Sequence, residues 1–300
     1  MIPGLKVGHA HCPLAKTGVT VLVPDAPAVM AVDVRGGGPG TRETDALNPD
    51  NLVERVHGLV LAGGSVFGLA AADGLALTLA RAGIGLPLGE GPGRIFVPVV
   101  PAAILFDLLN GGDKDFALPG GGEPPYARLA REAFATRSES PAEGAVGAAV
   151  GARAGSRPGG IGIASARLDD GRRVAALVAV NSFGEVVEGA PPEAGDVPMP
   201  KRRPMGGLET QHRIGATTLG CVATDVPLSR AAARRIAAMA QDGLARAIRP
   251  IHTPFDGDTI FALSVAPETP ALVDPALLAE LGTRAADCVA MACRRAVGFS

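Results

Sequence analysis

The sequence predicts an α+β fold in which sheets are covered by helices, a sandwich of layers. Two observations carry this. Short Val- and Ile-rich runs bounded by Gly and turn residues read as strands, and three longer Ala/Leu segments have the spacing of amphipathic helices. Paired strands alternating with such helices can bury the sheet faces only if the helices lie on them.

In chain order, residues 17–23, 28–34 and 58–61 read as strands. Residues 65–82 have helical spacing, open with Ser65 in a capping position and stop at Gly83. Residues 161–168 and 174–181 read as a hairpin around Asp169-Asp170-Gly171, because Asp-Gly suits a turn that needs positive φ. Residues 217–224 and 259–265 are further strands. Between them, residues 229–248 place Ala, Ile, Met and Leu at i, i+3/i+4, with Arg on the other faces. Residues 274–296 form the last helix, with Asp274 as cap and Pro275 in the first helical position. The Pro-, Gly- and Arg-rich stretch 188–215 fits neither period. A structureless run of that length is usually functional, and this one leads directly to Thr217. The remainder, 217–300, has only two strands and cannot bury both of their faces alone, so 1–300 reads as a single domain.

Composition excludes several function classes. With 300 residues there is ample chain for a core. A net charge of −2 gives no electrostatic pull toward nucleic acid or an acidic membrane surface. The absence of Trp, with one Tyr and nine Phe, leaves no aromatic platform for base stacking. No apolar run reaches membrane-spanning length. The four cysteines form no C-x-x-C pair or disulfide framework, and Met1–Lys6 lacks a signal-peptide profile. A reducing cytoplasm is expected, with no nucleic-acid or membrane partner.

Chemistry concentrates in Gly215-Ala216-Thr217-Thr218-Leu219-Gly220, where two hydroxyls open an apolar run after the long loop. If the chain cut itself between Ala216 and Thr217, the freed α-amine could act as base for the Thr217 hydroxyl. Its pKa near 8 leaves a usable unprotonated fraction at neutral pH. A buried strand with two Thr residues is the plainer alternative. Asp256 and Asp258 flank Gly257 at the entry to a strand, where they can orient a hydroxyl or ammonium or make an ordinary turn. A calcium loop would need further oxygen ligands. Asn181 ends a buried strand and can donate to an oxyanion or cap a turn.

These segments together resemble the L-aminopeptidase/D-esterase (DmpA-like) family of self-processing hydrolases, which includes β-peptidyl aminopeptidases and the nylon-oligomer endo-hydrolase. The resemblance covers nearly the whole chain. It runs through Gly4-Leu5-Lys6-Val7-Gly8-His9, then the stretch from Val32 through Gly36-Gly37-Gly38-Pro39-Gly40 to Asp45. It continues through Asn51–His57, Gly63-Gly64-Ser65-Val66-Phe67-Gly68-Leu69, Val178–Asn181 and Thr217–Asp225. It implies a four-layer αββα sandwich like that of amino-terminal-nucleophile hydrolases. By the same resemblance Thr217 is the nucleophile, released by a cut after Ala216 into 1–216 and 217–300. Asp256 and Asp258 are its supports, and Asn181 stabilises the oxyanion. The implied substrate is a small peptide or amide, and the implied assembly is a homo-oligomer of tetramer size or larger. Aminopeptidase/D-esterase action on free-amine substrates, acyl transfer of the ornithine-acetyltransferase type and a silent binding protein stay open as alternatives. Three positions depart from relatives. Ala216 stands where Asn or Gly is common, Phe106 where relatives carry an aromatic hydroxyl, and Ile104 where aminopeptidases place a Glu for the substrate amine.

Other features carry plainer readings. Ser65 is expected to cap its helix beside the substrate pocket, which Ile104 and Phe106 would also line. Neither Gly-rich loop ends in the Gly-Lys-Ser/Thr of a nucleotide loop. His9 and His11 share a strand face without further ligands, so neither a metal nor a cofactor is expected. Cys221 reads as a buried small residue, and Arg230, Arg234 and Arg235 as a solvated helix face.

Overall fold

The computed structural model describes residues 1–189, 215–270 and 272–299. Most of the predicted 188–215 stretch therefore lies outside the described residues. Ten principal strands and four helices build the frame. The strands are β1 (Leu5–Cys12), β2 (Thr17–Pro24), β3 (Val29–Val34), β4 (Thr41–Arg42) and β5 (Leu59–Ala62), then β6 (Ala102–Ile104), β7 (Gly160–Arg167), β8 (Arg173–Asn181), β9 (Thr217–Thr224) and β10 (Thr259–Ser264). The helices are α1 (Ala70–Arg81), α2 (Tyr126–Ala135), α3 (Arg230–Ala247) and α4 (Pro275–Ala296).

Two five-stranded mixed sheets result, ordered β1-β2-β5-β6-β4 and β7-β8-β9-β10-β3. Each has one parallel pair, β5/β6 and β9/β10. Parallel neighbours need a crossover, and α1 and α3 supply the two crossovers.

Side-chain alternation decides which face meets which layer. On β8, Val174, Ala176, Val178 and Val180 join the core under α3 and α4, while Ala175, Leu177 and Ala179 face the other sheet. On β9, Leu219, Cys221 and Ala223 point between the sheets, and Val222 points to the helices. Val19, Val21 and Val23 of β2 pack under α1 and α2, whereas Leu22 enters the inter-sheet core. Three stacked cores separate four layers, the αββα sandwich. All eight residues of β9 are buried, as suits a strand covered on both faces.

The predicted Asp274 cap is present, and Ser229 caps the preceding helix. Ser229 Oγ accepts from Ala232 N at 3.2 Å and Asp274 Oδ1 accepts from Ala276 N at 3.0 Å. Ser65 is a correction. The cap position belongs to Gly64, followed by a 3₁₀ turn over Ser65–Leu69, and no side chain caps it. Ser65 itself has φ +51°, whereas an N-cap residue needs the extended region. Arg230 is a second correction: its guanidinium donates to the carbonyls of Asn48, Pro49, Asn51 and Val53, clamping that loop to α3. Arg234 and Arg235 are exposed as expected. Arg234 lines a cavity of about 320 Å³ beside Asp33, Thr44 and Asn48.

Candidate active site

The amino-terminal end of β9 lies between β8 and the loop that enters β10. Strand register sets Asn181 opposite Thr217. On the other side Ala216 forms a parallel bridge with Asp256. Its amide donates to Phe255 O at 3.1 Å, and its carbonyl accepts from Gly257 N at 3.0 Å. Thr217 is 2% exposed, and its hydroxyl donates to the same Ala216 carbonyl at 2.6 Å. The bond proposed for scission thus has its carbonyl oxygen held between a backbone donor and the candidate nucleophile.

The loop carrying Gly257 is tightly stitched. Gly37 N donates to Thr253 O at 3.1 Å and Gly38 N to Asp256 O at 2.8 Å. A Cβ on Gly36, at φ +91°, would collide with the Asp256 carbonyl, and one on Gly257 would lie 2.8 Å from Thr217 Oγ1. The Gly-rich motif therefore serves close backbone approach.

Asp256 and Asp258 are fully buried. Asp256 accepts from Thr253 Oγ1 at 2.6 Å, Thr253 N at 2.9 Å and Phe183 N at 3.2 Å. Burial, reinforced by the nearby Asp258 charge, pushes its carboxyl above the usual range, while the Thr253 and Phe183 donors oppose the rise. Asp258 accepts from Thr218 N at 2.8 Å and from His252 N and Nδ1 at 3.1 and 2.9 Å. Asp258 thus joins Thr218, next to the candidate nucleophile, to His252, whereas Asp256 joins Thr253 to Phe183, two residues after Asn181. The Asn181 amide is also occupied: Oδ1 accepts from Arg153 N and Nδ2 donates to Phe106 O, each at 2.9 Å. A primary amide has a second N–H, and that one has no partner among the described residues.

Phe106 and Ile104 take different places. The Phe106 ring rests on Gly215, one residue before the Ala216–Thr217 pair. Ile104 is 6% exposed, packs under α1 and α2 and reaches over Gly40 and Gly68. Ser65 donates its amide to Leu105 O at 3.0 Å, on the same segment. The Gly63-Gly64-Ser65 turn is no open anion cradle, because Gly64 N donates to Asp107 Oδ1 at 2.8 Å. Asp107 also accepts from Thr17 Oγ1 at 2.6 Å, and burial raises its carboxyl. Cys221 is fully buried and its thiol is pushed up to about 12.

Sequence reasoning did not assign His252, Thr253 or Gly257. Their polar character before a strand was visible, but their partners are set by long-range register. Among the described residues, no group of three or more His, Cys, Asp or Glu is gathered to hold a metal, and no helix is long and apolar enough to cross a membrane.

An uncharacterized aminopeptidase of Mycobacterium bovis is 42% identical over 97% of this chain and 90% of its own. A 6-aminohexanoate-oligomer endohydrolase of Paenarthrobacter ureafaciens is 30% identical over 87% of this chain and 73% of its own. The L-aminopeptidase D-Ala-esterase/amidase of Ochrobactrum anthropi, a variant of the Ntn hydrolase fold, superimposes with a TM-score of 0.69 at 19% identity. That match covers 98% of this chain and 84% of the other. The model of peptidase family S58 matches residues 2–299. With the nearly full-length match of the family model, the chain belongs to peptidase family S58 and is a hydrolase.

Proposed function

We propose that this protein is a self-processing amide hydrolase whose nucleophile is Thr217, released by a cut after Ala216. The observation that carries the reading is the shared carbonyl of Ala216, which meets the Gly257 amide at 3.0 Å and the Thr217 hydroxyl at 2.6 Å. Thr217 Oγ adds to the Ala216 carbonyl carbon, and the charge forming on oxygen is met by the Gly257 N–H. The C–N bond then breaks, with the hydroxyl proton passing to the departing nitrogen. Water opens the resulting ester, leaving a carboxylate on Ala216 and a free amine on Thr217.

In the processed enzyme that amine takes the hydroxyl proton as Thr217 attacks a substrate amide, and passes it to the leaving nitrogen. Asn181 offers its second N–H to the oxyanion. Asp256 and Asp258 hold the two strands of backbone that align the nucleophile. Water completes the turnover by releasing the acid. The single domain becomes a pair of chains, 1–216 and 217–300, assembled as a homo-oligomer of tetramer size or larger in the cytoplasm.

The substrate is a small peptide or non-peptide amide with an uncharged acyl portion. Phe106 presents carbon beside the residue before the scissile pair, where a free ammonium would need a charged partner, and burying an unpaired charge is costly. The 6-aminohexanoate-oligomer relative accords with this preference. The names of the mycobacterial relatives favour a second reading, release of a free amino-terminal residue. Intact mass of the purified protein tests the processing. Two masses for 1–216 and 217–300 are expected, and a mature preparation containing only the full chain would falsify the amine-as-base mechanism.

A further inference from the structure

The uncut chain shows how an acyl group sits beside Thr217, because Ala216 occupies that seat. Both of its backbone polar groups are paired to one short run: N–H to Phe255 O at 3.1 Å and C=O to Gly257 N at 3.0 Å. The two hooks flank Asp256, whose side chain is held by Thr253 and Phe183. The run is fixed from behind by Gly37 and Gly38, so it does not depend on Ala216 for its shape. The Ala216 residue is 7% exposed, so its methyl is enclosed, and one residue back the Phe106 ring lies on Gly215.

We infer that, once Ala216 has left, this seat takes the acyl half of the substrate in the same pose. The substrate carbonyl rests on Gly257 N–H, the acyl residue's own amide N–H donates to Phe255 C=O, and Phe106 covers the unit before it. The substrate class is then specific: amides whose acyl part is an N-acylated α-amino acid with a side chain of alanine size or smaller, the pattern of an internal peptide bond. A larger side chain meets the enclosed space that the Ala216 methyl leaves. The chemistry is that of the processed enzyme: Thr217 Oγ bonds to the acyl carbon, the leaving amine departs with the proton, and water hydrolyses the ester. This inference rests on the proposal that Thr217 is freed by processing.

Three p-nitroanilides separate the two. N-acetylalanine p-nitroanilide carries the N–H, 2-acetoxypropionic p-nitroanilide replaces it with oxygen, and propionic p-nitroanilide lacks the unit altogether. With two-fragment enzyme, kcat/KM should fall about fivefold or more from the first to the second, the worth of one ordinary hydrogen bond. It should fall further for the third. Equal kcat/KM for the three, with all turnover lost in Thr217→Ala, would overturn the seat and leave the nucleophile reading intact. No turnover of any of them by the two-fragment enzyme would overturn the seat, while the processing reading stands or falls on the intact masses. N-acetylleucine p-nitroanilide serves as a check on size and should be slower than the alanine compound; a faster rate would remove the side-chain limit.

Discussion

The Gly257 amide donates to the carbonyl oxygen of Ala216 at 3.0 Å, across a bridge joining two segments that are about forty residues apart in sequence. The donor is a backbone group in a loop without room for a side chain, so its aim is set by the fold. Preorganised donors of this kind act where charge develops and need no rearrangement during the reaction.

Placing a methyl at Gly257 tests that arrangement. The added Cβ would lie 2.8 Å from Thr217 Oγ1 and 2.5 Å from Gly38 O. Gly257→Ala should slow self-cleavage about tenfold or more, since overpacking of one to three kcal/mol falls directly on the reacting groups. Time courses of precursor loss on denaturing gels, with circular dichroism to confirm folding, supply the comparison. A folded variant cut at the parent rate would remove Gly257 from the reaction.

Thr217 and Thr218 should separate cleanly. Thr217→Ala should abolish both processing and hydrolysis, and Thr217→Ser should still process. Thr218 is fully buried, and its hydroxyl has no partner among the described residues. Thr218→Val should therefore process and gain about 1 kcal/mol or more of stability, because an unpaired buried hydroxyl is removed. Sequencing the first residues of the small fragment identifies the nucleophile. A fragment beginning at Thr218 would move the assignment by one position.

Asn181 carries two duties, and the choice of substitution separates them. Asn181→Ala loses the bonds to Arg153 N and Phe106 O, and should cost about 1–3 kcal/mol of stability as well as turnover. Asn181→Asp keeps the acceptor for Arg153 N and loses the donor. Its kcat should fall by about 10²–10³-fold if the amide serves the oxyanion. Near-parent kcat in a folded Asn181→Asp enzyme would confine the residue to holding the loop.

Stability should decline in mild acid through His9. Its Nδ1 lies 2.9 Å from Thr20 Oγ1, and burial lowers its pKa from 6.5 to about 4. Between those values the unfolded chain binds a proton that the native chain refuses. Stability therefore falls as pH drops through this window, by at most about 3 kcal/mol. Denaturant midpoints at pH 7 and 4.5 should differ less for His9→Asn than for the parent. Equal differences would place the acid sensitivity elsewhere.

Much of this fold was legible because hydrophobic period and burial agree locally. The strand over Thr217–Thr224 and the helices over 229–248 and 274–296 announced themselves through an apolar run, helical spacing and, at Asp274, a cap. The helix Tyr126–Ala135 did not: it is ten residues long, and only Tyr126, Leu129, Ala130 and Ala133 are buried. The hairpin of Leu86–Leu88 with Ile95–Val97 was missed as well, since its side chains are mostly exposed and carry no inside/outside pattern. At the site, resemblance named Thr217, Asn181, Asp256 and Asp258. Their partners could not be read, because Gly257 against Ala216 and Phe106 against Gly215 are products of tertiary register. Phe106 shows the limit well. Its ring was expected to line a pocket, and what it touches is a glycine on a segment with no periodic signal.

β9 is paired along both edges, antiparallel to β8 and parallel to β10, with every residue buried. A cut before Thr217 would leave those ladders whole, so the two pieces would hold together under native conditions. Denaturation would be another matter. The precursor refolds as one molecule, whereas severed pieces must find each other, and the central strand of a sheet would have to be supplied from solution. Recovery of the cut protein should therefore depend on its concentration and compete with aggregation of the exposed sheet edges of β8 and β10. Scission would make the native state one that the chain reaches readily only once.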